Sequence, residues 1–172
     1  LILTKPLGVG LTLNALRMDD CSKEMQERVF KSMTTLNKYA CDILKKYDVH
    51  ALTDVTGFGL LVHLNEMLDE KNSAVIYKDS IPYFDDCQKY VEEFYLSGAA
   101  QTNRNSVEGK IYFDCDFFTE EILFDPQTSG GLLASVAKED LEKLEIDFKE
   151  NNLELYVVGE VIEKNEYNVY VR

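Results

Sequence analysis

Apolar residues fall at Met25, Val29, Met33, Leu36, Ala40, Ile43 and Tyr47, in steps of three and four that predict one amphipathic helix from Ser22 to about Tyr47. Ser22 suits its N-cap, Glu24 and Glu27 its positive end, and Lys45 and Lys46 its negative end. Upstream, Leu1 to Thr4 reads as a strand that Pro6, Gly8 and Gly10 interrupt before a short apolar segment, Leu11 to Met18. Phe58 to Leu68 predicts a second helix with Leu61, Leu64, Met67 and Leu68 on its apolar side. Ala74 to Tyr77 reads as a short strand, Tyr83 to Leu96 as helix, and Ser97 to Glu108 as a polar loop. Lys110 to Phe113, Ile122 to Phe124 and Leu132 to Val136 carry strand signals, and Lys138 to about Glu150 reads as helix with Leu141, Leu144 and Phe148 inward. Leu155 to Ile162 and Tyr167 to Val171 are rich in β-branched and aromatic residues, and Lys164 to Glu166 between them predicts a closing hairpin. The irregular alternation predicts an α+β fold, a single domain with a mixed β-sheet packed by helices.

Composition narrows the function classes. Over 172 residues, 31 acids against 18 bases give a formal charge of −13, which repels nucleic-acid backbones and anionic membranes, so neither is expected as a partner. Such a surface still admits a nucleotide, because Mg²⁺ and a few N–H donors screen a triphosphate locally. Cys21, Cys41, Cys87 and Cys115 form no C-x-x-C pair, so they predict neither a zinc site nor a redox motif, and a cytoplasmic location is expected. No apolar run approaches membrane-spanning length. The chain opens with Leu and runs straight into a strand, which predicts a piece of a longer polypeptide.

Chemistry concentrates in two glycine turns. Thr53-Asp-Val-Thr-Gly-Phe-Gly59 places one carboxylate beside hydroxyls and glycines just ahead of a helix. Asp54 can serve there as a ligand of Mg²⁺ while backbone N–H groups face an anion, or Asp54 or Thr56 can simply cap the helix. Asp125-Pro-Gln-Thr-Ser-Gly-Gly131 is a second turn whose backbone can approach an anion; it lacks the Lys of a P-loop and the spacing of a dinucleotide fingerprint. In the segment from Gly98 to Asn105, Arg104 is the strongest anion-pairing candidate. His63 on the second helix reads as a packed or exposed residue rather than a base, and His50 carries less signal still.

Four motifs occur in one order: Leu1-Ile-Leu-Thr-Lys-Pro-Leu-Gly8, Thr53 to Gly59, Thr102 with Arg104-Asn105, and Asp125-Pro-Gln-Thr-Ser-Gly-Gly-Leu-Leu133. Together they resemble the carboxy-terminal domain of the selenophosphate synthetase family, within the superfamily of aminoimidazole ribonucleotide synthetase, over essentially the whole chain. The resemblance implies a reaction of ATP, selenide and water giving selenophosphate, AMP and orthophosphate, with Mg²⁺ on the phosphates. It implies that the reactive Cys or selenocysteine, a Lys and further metal-binding acids lie in a preceding domain, which also supplies a homodimer interface. Asp54 then matches the metal-binding acid of this piece, with Thr53, Thr56, Gly57 and Gly59 around it. The resemblance further implies that Arg104, Asn105, Thr128, Ser129, Gly130 and Gly131 line the same cleft, and the piece alone is expected to be inactive. The chain departs from the family pattern in having Ala100 and Gln101 where a Gly pair is usual, and Val62 where Gly usually precedes the helix His. The alternatives are another ATP-using member of the superfamily, or a non-catalytic binding module that reuses the fold.

Overall fold

The computed structural model describes residues 1–172. In chain order the elements are β1 (Ile2–Leu3), α1 (Val9–Arg17), α2 (Lys23–Thr34), α3 (Asn37–Leu44), β2 (Val49–Asp54), α4 (Gly59–Met67), β3 (Asn72–Ile76) and α5 (Cys87–Glu92). They continue as α6 (Gly98–Ser106), β4 (Ile111–Phe113), α7 (Phe117–Phe124), β5 (Leu132–Val136), α8 (Leu141–Glu150), β6 (Tyr156–Val157), β7 (Gly159–Glu163) and β8 (Val169–Val171). The fold is α+β, with two four-stranded sheets rather than the one mixed sheet expected. The first sheet, ordered β2-β5-β1-β6, is antiparallel throughout; the second, ordered β4-β8-β3-β7, is mixed.

Strand alternation distributes the first sheet between two apolar clusters. Ile2, Leu132 and Ala134 join Ala40, Ile43, Leu44, Leu144 and Phe148, so α3 and α8 cover one face. Leu3 and Leu133 point the other way, into the larger cluster that also takes Leu60, Leu61 and Leu64 of α4, Ile122 to Phe124 of α7, and Ala74 and Ile76 of β3. These buried layers make the first sheet and α4 a firm platform for the residues between them.

Several expectations are corrected, each for a local reason. The helix from Ser22 to Tyr47 is two helices: Ser22 caps α2 through Met25 N–H at 3.1 Å as expected, but Thr35 and Leu36 are extended, with ψ of 119° and 132°. Thr34 and Thr35 each turn a hydroxyl back onto a carbonyl four residues earlier, at 2.8 Å, and the buried Lys5 ammonium takes the Thr35 carbonyl at 2.8 Å. Those bonds compete with helix continuation at the joint. The polar loop from Ser97 to Glu108 is largely α6, started by Ser97 accepting from Ala99 N–H at 3.2 Å. Ile122 to Phe124 is the end of α7, whose start Asp116 caps through Thr119 N–H at 2.8 Å. The closing hairpin does not form, because β3 lies between β7 and β8 and pairs antiparallel with the first and parallel with the second. The helix expected from Tyr83 to Leu96 is shortened to α5.

Candidate functional site

The two glycine turns are neighbours. β2 and β5 pair antiparallel with Thr53 opposite Leu133 and Asp54 opposite Leu132, so the strand that ends at Asp54 runs beside the strand that begins after Gly131. The pairing continues into the turns: Val55 N–H donates to the Gly131 carbonyl at 2.8 Å, and Gln127 N–H donates to the Thr56 carbonyl at 3.0 Å. Gly130 permits this approach, since a Cβ there would stand 2.2 Å from the Val55 carbonyl oxygen.

α4 starts at once after the first turn. Gly59 has φ +73°, and a Cβ on it would meet the Phe124 backbone at 2.8 Å, so glycine is required by both conformation and packing. Neither Asp54 nor Thr56 caps α4 with a side chain; Phe58 occupies the N-cap without a side-chain bond. The Thr56 hydroxyl instead lies 3.0 Å from His63 Nε2, and His63 Nδ1 lies 3.5 Å from a Glu66 carboxylate oxygen. His63 is buried on α4, its ring 5.7 Å from that of Phe58.

Asp54 is exposed and its carboxylate takes part in no ion pair or side-chain hydrogen bond. Thr53 is half-buried beside it, Gly57 is exposed, and Thr128 and Ser129 project from the second turn, Ser129 with φ +55°. No group of three or more His, Cys, Asp or Glu side chains suited to a metal ion exists in the chain. Asp54 therefore fits a divalent cation as a single open carboxylate facing outward, and not as a complete coordination set.

Support comes from residues that sequence reasoning passed over. Asn103, buried on α6, donates its side-chain amide to the Gly57 carbonyl at 2.9 Å and to the Phe124 carbonyl at 3.2 Å, tying the first turn to α7. Its signal was the buried face of α6, where Ala100, Asn103 and Val107 recur at helical spacing. Lys5 donates to the Ser129 carbonyl at 2.9 Å and Asn37 to the Gly130 carbonyl at 2.9 Å, holding the second turn from behind. Desolvation by burial lowers the Lys5 pKa. Asp125 is buried, accepts from Gly10 N–H at 2.9 Å and from the Gln127 amide at 2.9 Å, and burial pushes its carboxyl up to about 7.

Arg104 makes its charged contacts within the fold. Its guanidinium is 2.6 Å from buried Glu121 and 4.9 Å from the Phe124 ring centroid, so its charge is already paired inside the fold rather than offered to an anion. Asn105 is exposed and accepts from Gln101 at 2.9 Å; neither it nor Arg104 bonds to either turn. A cleft of about 510 Å³ includes Lys5, Asn37, Arg28 and Tyr156 among its lining residues, yet none of the eleven expected site residues lines it. The paired turns lie beside it, joined to its lining through Lys5 and Asn37.

A protein of Agathobacter rectalis called "Selenide, water dikinase" is 44% identical over 173 residues, covering 99% of this chain and 51% of its own length. A protein of the same name from Desulfitobacterium hafniense is 39% identical over 170 residues, covering 98% and 50%. The chain thus spans about half the length of the curated relatives it matches. Among solved structures, a hydrogenase maturation protein of E. coli superposes with a TM-score of 0.66 at 16% identity, over 99% of this chain and 44% of that one. The family of the AIR synthase related protein, C-terminal domain, matches residues 1–172, and this chain belongs to that family.

Proposed function

We propose that the chain is the carboxy-terminal half of a selenide, water dikinase, an enzyme that makes selenophosphate from selenide, ATP and water and releases AMP and phosphate. Relatives bearing that name cover nearly all of the chain, and one observation about its own residues carries the reading: two backbone bonds seat the 128–131 turn beside a free Asp54 carboxylate. Phosphoryl transfer rests on positioning and charge neutralisation, so a half that supplies one acidic ligand and a few backbone donors can be essential without holding the nucleophile.

In this reading Asp54 is one oxygen ligand of Mg²⁺, with its other ligands supplied by the preceding half and by ATP. When bound, the ion neutralises charge on the phosphates. Thr53, Thr56, Gly57 and Gly59 shape the first wall of the site. Thr128, Ser129, Gly130 and Gly131 shape the second, and Asn103, Lys5 and Asn37 hold both walls in place. Arg104 and Asn105 contribute through α6 rather than by touching the nucleotide. The full-length protein is a cytoplasmic homodimer in this account. No helix is long and apolar enough to cross a membrane.

The test is substrate-specific. The full-length parent, given ATP and Mg²⁺, is expected to release AMP only when selenide is added. Selenide-independent turnover that responds to a purine-pathway substrate would assign it to another branch of the superfamily.

A further inference from the structure

We propose that His63 is a positioning residue that makes the Thr56 hydroxyl donate inward, so that Thr56 presents only oxygen lone pairs to the site and receives a metal ion or its bound water, not a phosphate oxygen. This rests on the metal-phosphate reading above. The observation behind it is the chain of contacts from Glu66 through His63 to Thr56, at 3.5 Å and 3.0 Å.

A neutral imidazole carries one N–H and one bare nitrogen, and its neighbours select which is which. The Glu66 carboxylate, one helical turn on, accepts and cannot donate when ionised; it favours the proton on Nδ1. Nε2 is then an acceptor, and the hydrogen between it and Thr56 belongs to the threonine. A hydroxyl has a single hydrogen to give. With that hydrogen turned toward His63, the solvent side meets only the electron-rich oxygen.

The residue is not free to turn. Its backbone carbonyl accepts from both Gly59 N–H and Gln127 N–H at 3.0 Å, so Thr56 is held by both turns at once. His63 is 8% exposed, and its ring lies 5.7 Å from that of Phe58. One residue separates Thr56 from Asp54, and the oxygens of both are hard donors of the kind Mg²⁺ and its waters take. A phosphate oxygen at the same spot would meet a lone pair instead of a hydrogen.

The test measures metal binding directly, in the full-length parent, with Mn²⁺ as a paramagnetic probe followed by EPR. His63→Gln sets an amide where Nε2 stands and keeps an acceptor for the hydroxyl, whereas His63→Asn reaches only the position of Nδ1. Outer-shell changes of this kind alter metal affinity by roughly 10–100-fold. His63→Asn and Thr56→Val are expected to weaken Mn²⁺ by about 10-fold or more, with His63→Gln within about 3-fold of the unaltered protein. Equal losses in the two His63 variants, or unaltered Mn²⁺ affinity in Thr56→Val, would overturn the proposal. Thr56→Val leaves the ring in place and decides the matter if His63→Asn does not fold. Asp54→Asn separates the two levels: unaltered Mn²⁺ affinity there removes the metal reading itself. A loss there with a normal Thr56→Val removes only the role of Thr56 and His63.

Discussion

Val55 N–H donates to the Gly131 carbonyl at 2.8 Å, so the residue after Asp54 and the last glycine of the second turn are joined by one backbone bond. Segments 76 positions apart in sequence thereby become two walls of one face. The bond depends on the absence of a side chain at Gly130, whose Cβ would collide with Val55. The candidate site exists only because the two turns sit this closely together.

Gly59→Ala should destabilise the chain by about 2–4 kcal/mol, because it combines a left-handed backbone with a collision against Phe124. Urea unfolding of the variant checks this. Gly57→Ala is the control: a Cβ there would point into open space, with nothing to meet within 4 Å, and its effect should be far smaller.

Arg104→Met should cost about 2–3 kcal/mol by leaving Glu121 buried without its partner, less than a fully buried pair because Arg104 keeps 26% exposure. Adding Glu121→Gln to it should recover part of the loss. A double variant that loses the sum of the two single changes would show that the pair is not coupled.

Asp125 gives stability a defined pH dependence. Its unfolded carboxyl titrates near 3.8 and burial raises the folded one to about 7. Between those values the folded state keeps a proton that the unfolded state has lost, so this residue's contribution falls as pH rises across the window. The difference at the alkaline end is on the order of 4 kcal/mol. Asp125→Asn should remove that slope, so unfolding midpoints of the two proteins, compared from pH 4 to 8, should diverge in favour of the variant. Parallel pH profiles would contradict the assignment.

The 172-residue chain by itself should release no AMP from ATP with selenide and Mg²⁺ present. It holds one open carboxylate at the candidate site and no three-residue cluster suited to a metal. Measurable selenide-dependent AMP release would show that the chemistry needs nothing from a preceding half.

Elements whose ends and faces are both encoded locally were legible in the sequence. α4, β3, β5 and the Ser22 cap follow from apolar spacing and capping chemistry. What failed depended on competition from a distance or within a turn. The joint at Thr35 is held open partly by Lys5, thirty residues away, and the order of the second sheet is set by β3, far from both strands it separates. Ile122 to Phe124 has the apolar, β-branched look of a strand, but the Asp116 cap starts a helix first. At the site, the glycine turns and Asp54 were visible as motifs. Asn103 was not, because a buried amide on a helix shows only in what it bonds, and the ion pair of Arg104 was not, because its partner Glu121 lies seventeen residues downstream.

The most direct measurement is selenide-dependent AMP release by the full-length parent carrying Asp54→Asn, a change that removes charge and keeps shape. The account predicts at least about a 100-fold fall in turnover with the melting temperature unchanged. Near-normal turnover in that variant would place Asp54 outside the phosphate site and contradict the account.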